Sequence, residues 1–198
     1  MARFRIVSPR SSVVVVALLL AALSRLIPHP PNFAPITALA LFGAATLIDR
    51  RLALLLPMLA LLISDLCIEG LHRMGLMASW GIYPGMWVTY TVFLLIGLIG
   101  LLLRRNRNVL AITGATLAGS VVFYVVTNFA VWAGGNLYPR TLEGLLACYT
   151  AAIPFFQNTL LGDAVYGTAL FGGFALAERG WPVLRKLPAV PSPGNAPA

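Results

Sequence analysis

The chain holds a single lysine, Lys186, close to its end. A G-x-x-x-x-G-K-[ST] phosphate loop therefore cannot form, and the chain is not a P-loop ATPase. Histidine and cysteine are also scarce: His29, His72, Cys67 and Cys148 are all there is. Without a C-x-x-C pair they exclude an ordinary tetrahedral zinc site built from this chain's own His and Cys. Two cysteines are too few for a disulfide scaffold, and both read first as small buried hydrophobes. Neither H-E-x-x-H nor G-x-S-x-G occurs. Charge is the last shortage. Only 10% of residues are charged and 59% are hydrophobic, against about 25% charged in a soluble domain. Water is not the main solvent of this chain, and any energised activity needs a partner subunit or an ion gradient.

What charge there is lies between apolar segments. Thirteen arginines and Lys186 give a net charge of +8, but they form no stripe, so no nucleic-acid partner is expected. A crossing helix needs about 20 mostly apolar residues. Six segments qualify, over 12–28, 34–49, 52–69, 86–103, 109–133 and 156–177. The expected fold is all-α: a polytopic membrane protein with six transmembrane helices over 1–178, and a Pro-rich cytoplasmic tail over 179–198 that reads as disordered. The first segment reads as a retained helix, since no small-x-small cleavage site follows it. Residues 141–155 are apolar but short, and Pro154 is expected to break them from the last span as a helix at the outer face.

With the N-terminus inside, eleven Arg or Lys residues fall in inner loops and only Arg73 and Arg140 in outer ones. This positive-inside bias sets both termini in the cytoplasm of a multi-pass membrane protein in contact with lipid. Small residues at helix-packing spacing, such as Ala40 and Ala44 or Gly114 and Ala118, read as internal contacts between helices.

The remaining polar and aromatic clusters gather at the other face. Ionisable groups in or beside membrane helices are functional candidates. Asp65 comes first, Asp163 second, and a structural Asp–Arg pair with Arg25 is the plain alternative. His29 sits in Pro28-His29-Pro30-Pro31, where prolines fix the backbone. Trp80, Tyr83, Trp87, Trp132 and Tyr138 outnumber the inner-side aromatics Phe4 and Trp181. An aromatic belt would populate both interfaces, so the asymmetry favours an outward pocket. Asn32, Asn128, Asn136, Arg140, Gln157 and Asn158 supply polar groups suited to a large, amide-bearing, partly apolar ligand. Cys67, beside this rim, offers a soft thiolate to a transition metal.

Several strings carry a resemblance: Arg25 through Pro35 with Ala38-Leu39-Ala40-Leu41-Phe42-Gly43, then Ser64-Asp65-Leu66, Asn128 through Trp132, Tyr138-Pro139, and Ile153-Pro154-Phe155-Phe156-x-Asn158-Thr159. Over residues 20–175 the chain resembles small bacterial membrane proteins akin to the S-components of energy-coupling-factor transporters, in particular solitary BtuM-type cobalamin transporters. The resemblance implies an S-component-like bundle that imports cobalamin or a related corrinoid, with no cofactor of its own and room for a transporter partner subunit. It implies a cysteine on cobalt, for which Cys67 is the candidate and His29 the fallback. The ligand-binding residues are then His29, Asn32, Asp65, Tyr83, Trp87, Asn128, Trp132, Tyr138, Arg140 and Asn158. A membrane enzyme with Asp65 and His29 as acid and base, or an accessory subunit, is the alternative.

Overall fold

The computed structural model describes residues 8–185. Six helices make it up: α1 Pro9–Leu23, α2 Ile36–Thr46, α3 Arg50–Arg73, α4 Met86–Leu102, α5 Val109–Gly134 and α6 Leu142–Gly180. No strand occurs among the described residues. Four helices start at a residue whose side chain accepts a first-turn N–H: Ser8, Asp49, Asn108 and Thr141. The backbone N–H groups of Leu52 and Arg51 hold the exposed Asp49 carboxyl below its ordinary range. α1, α3, α5 and α6 are long and apolar enough to cross a membrane. The chain is a helical membrane protein.

α2 departs from the expected second span over 34–49. It has 11 residues, about 16 Å of helix, roughly half the ~30 Å hydrocarbon core. Proline at 28, 30, 31 and 35, with Asn32 at φ 63°, keeps the preceding chain out of helix. Every residue from Thr37 to Thr46 is buried, because α2 packs against all five other helices. It is the axis of the bundle, not a lipid-facing crossing. Contact is close: a Cβ on Gly43 would overlap Pro57 of α3, and one on Gly119 of α5 would stand 2.6 Å from Thr37 Cγ2. Ala40 and Ala44 lie in this core, whereas Gly114 and Ala118 face outward on α5.

α6 corrects a second expectation. Residues 142–155 are not a separate surface helix. The helix runs unbroken for 39 residues, and Pro154 removes only one rung of its ladder. A π turn at Thr168–Gly172 interrupts its regular winding.

The short axis helix is held at its C-terminal end by two arginines. Arg104 donates Nε to Ala44 O at 2.9 Å, and Nη2 to Leu47 O and to Ile48 O (3.1 Å). Arg10, 3% exposed, donates to Thr46 O at 3.1 Å and Leu184 O at 2.5 Å, and pairs with Glu178. Cations at a helix C-terminus satisfy orphan carbonyls and oppose the dipole. These side chains are thus clasps as well as topology signals. Of the expected tail, residues 179–185 fold onto the bundle, with Leu184 buried. Residues 186–198 lie outside the described residues.

Candidate functional site

The non-helical segment 27–35 poses a question of its own. Irregular backbone at membrane depth is tolerated where it is buried in protein or lines a water-filled cavity. Here it lines one. A cavity of about 1190 Å³ opens at the end opposite the Arg10 and Arg104 clasps. Its walls come from segment 27–36, the 76–85 loop, the start of α4, the second half of α5 and the middle of α6.

Aromatic side chains stand on facing walls. Trp80 and Trp87 lie on the loop side, and Tyr124, Phe155 and Phe156 on the α5–α6 side. Tyr124 and Phe156 pack with ring centroids 4.6 Å apart. The Tyr124 hydroxyl donates to Tyr149 O and that of Tyr149 to Val125 O, which ties α5 to α6. His72 underpins the loop: its ring lies 4.7 Å from that of Trp80 and its Nδ1 3.0 Å from Met77 O.

Polar groups stand among them. His29 Nδ1 donates to Ile27 O at 2.6 Å, which leaves Nε2 with its lone pair. Asn128 donates its amide to Tyr124 O, leaving its carbonyl free for a ligand. Tyr83 donates to Thr89 Oγ1 at 2.9 Å, and burial pushes its phenol above the ordinary range. Arg25 sits in a turn after α1 and reaches α3, with Nη1 2.6 Å from Asp65 Oδ1 and 2.5 Å from Ser64 Oγ.

Of the residues expected to bind a ligand, His29, Asn32, Tyr83, Trp87 and Asn128 line the cavity. The others do not. Asp65 is buried behind the wall, held by Arg25 and by the Tyr90 hydroxyl at 2.7 Å. The plain Asp–Arg alternative holds, and the acid–base pairing of Asp65 with His29 loses its acid. Cys67, two residues on, points about 200° around α3 from Asp65 and is absent from the lining, as is Cys148. Trp132 spends its indole N–H on Pro139 O. Tyr138 lies outside the lining beside it. Arg140 caps the α5 C-terminus through Ala133 O and Gly135 O. Asn158 donates to Pro31 O at 2.9 Å and braces the wall from behind.

Asp163 forms the floor. It is 1% exposed, and its Oδ2 accepts from Ser120 at 2.6 Å. It also faces the Thr37 hydroxyl and the Ala38 N–H at the start of α2, where Pro35 offers no side-chain cap. Its Oδ1 has no hydrogen-bond partner among the described residues. Thr37, Ser120 and Tyr124 were not singled out from sequence. A signal for two of them exists, since Thr113, Thr116, Ser120, Tyr124 and Thr127 recur at helical spacing along an otherwise apolar α5. Among the described residues no three His, Cys, Asp or Glu side chains gather to hold a metal.

No curated protein and no solved structure matches the chain. Residues 6–184 match the profile of a family of unknown function, DUF6580, and the chain belongs to that family.

Proposed function

We propose that the protein is a membrane component that takes a large, partly apolar small molecule into this cavity from outside the cell, as the solute-binding part of a transporter. One observation carries the reading. The cavity, at about 1190 Å³, exceeds the ~300–1,000 Å³ typical of small-ligand sites and is lined by aromatic, aliphatic and polar side chains together. The arginines supply the orientation. The far end bears Arg10, Arg50, Arg51, Arg104, Arg105, Arg107, Arg179 and Arg185, while the cavity end bears Arg25, Arg73 and Arg140 among the described residues. That bias favours cytoplasmic termini and an outward cavity in a bacterial inner membrane. Energy would come from a partner subunit or an ion gradient.

A corrinoid is the ligand to test first, on the strength of the sequence resemblance and the cavity volume. Cobalt would then meet His29 Nε2, because neither thiol lines the cavity. Purified protein mixed with aquocobalamin should shift the visible corrinoid bands. His29→Ala should abolish the shift, and Cys67→Ala should leave it intact. Uptake complementation in a cobalamin-dependent strain should follow the same order. Unchanged bands with the wild-type protein would remove the corrinoid and leave the choice of ligand to other molecules of that size. Loss of the shift in Cys67→Ala alone would restore the thiolate as the metal ligand.

A further inference from the structure

We propose that Asp163 is an exchangeable proton site, loaded and emptied only through the cavity. The geometry is that of a carboxyl that must be able to hold a proton. It is almost wholly buried, it has no ion-pair partner among the described residues, one of its oxygens has no hydrogen-bond partner among them, and the residue lines the cavity. An isolated carboxylate in such a place is costly and is relieved by neutralisation.

The neighbours do not lock either form. The Ser120 hydroxyl donates to Oδ2, a bond that suits the anion. Burial and the lack of a nearby free cation favour the acid. The titratable and charged groups around it are accounted for, element by element. Arg25, after α1, and Asp65, on α3, neutralise each other. His29 presents the 27–35 segment, and Tyr83 the 76–85 loop. Tyr90 of α4 donates to Asp65. Tyr124 of α5 donates to Tyr149 O, and Tyr166 of α6 accepts from Ser24. None supplies Asp163 with a fixed counter-charge.

Access is one-sided. Toward the arginine end, Phe171 and Phe174 of α6 lie about 12–16 Å further along the helix. They pack edge-on against Phe42, with centroids 5.4 and 5.6 Å away, and Arg10 lies over Phe174. This apolar plug separates the carboxyl from the clasp end. The step is simple: a hydronium ion in the cavity gives its proton to Oδ1 and leaves as water, and the reverse step returns it. On the proposed function, arrival of a ligand changes this proton's stability, which couples binding to protonation. The proton site itself does not depend on that reading.

Infrared difference spectroscopy of the full-length protein in lipid nanodiscs tests it with the proton as the only probe. A protonated-carboxyl C=O band should appear and vanish between about pH 9 and pH 5. It should shift on isotope labelling of the three aspartates, persist in Asp49→Asn, and be missing from Asp163→Asn. Ser120→Ala removes a donor to the anion and should raise the midpoint by about one pH unit, a readout available even if Asp163→Asn does not fold. In right-side-out vesicles the band should follow external pH. A band absent or invariant over that range overturns the proton site. A midpoint unmoved by Ser120→Ala overturns its assignment to Asp163, and a band that follows internal pH overturns the one-sided access. The corrinoid reading can fail with all of these results intact.

Discussion

Asp65→Leu lowers the stability of the protein by about 3–5 kcal/mol, and Arg25→Leu does the same, while the double substitution recovers most of the loss. The expectation rests on burial. The side chains are 3% and 14% exposed and stand 2.6 Å apart. Removing one leaves the other charge uncompensated in an apolar bundle. Replacing both leaves shape without charge, which is often close to neutral. In the double variant the Tyr90 hydroxyl loses its Asp65 acceptor and Ser64 Oγ loses its Arg25 donor, a residual cost of about 1 kcal/mol apiece. Unfolding in detergent, read as a double-mutant cycle, measures the coupling. Additive losses would mean that Asp65 acts on something other than Arg25, and would return it to the list of ligand contacts.

Arg10→Ala comes next, with an expected loss of about 3 kcal/mol. One guanidinium joins the end of α2 to α6 and to the turn at Pro182–Leu184, through Thr46 O, Leu184 O and Glu178. Its loss leaves two carbonyls and a carboxylate with fewer donors, though Arg107 Nη2 remains 3.6 Å from Glu178. Arg10→Lys should recover only part, since an ammonium lacks the planar fork that reaches all three. Arg105→Ala, at an exposed position on the same end, should change stability by less than about 0.5 kcal/mol. The comparison separates an arginine that holds the fold from one that only marks a side. Equal effects at both positions would show that the clasp contributes nothing beyond charge.

Sequence reasoning reached far where one physical rule dominates. Segment length located α3, α4 and α5 to within a few residues, because apolar runs in lipid must be helical. The arginine bias placed the polar and aromatic clusters at one end, and they do lie there. It failed where partners decide. Thirty-nine helical residues through Pro154 could not be told from two elements, since neighbouring helices set whether one missing rung breaks a membrane helix. The short α2 looked like a crossing because its buried face is its whole circumference. Asp65, Trp132, Arg140 and Asn158 carry the right chemistry for a pocket, yet each is spent on a neighbour that only the fold brings close. Cys67 was weighed by its nearness to Asp65 along the chain, but two helical positions turn a side chain away. Asp163 was legible as a membrane carboxylate, whereas its floor position required α2 to start there.

The proposed function requires a cavity that opens to the outside at the arginine-poor end. Substituted-cysteine labelling tests it most directly. In a Cys67→Ser, Cys148→Ser background, Thr127→Cys places a thiol on the cavity wall, and Val121→Cys places one on the exposed flank of the same helix. An impermeant maleimide added to right-side-out vesicles should label Thr127→Cys and leave Val121→Cys, which faces lipid, unlabelled. Labelling of Thr127→Cys only in inverted vesicles would place the cavity on the cytoplasmic side. No labelling from either side would contradict an open cavity altogether.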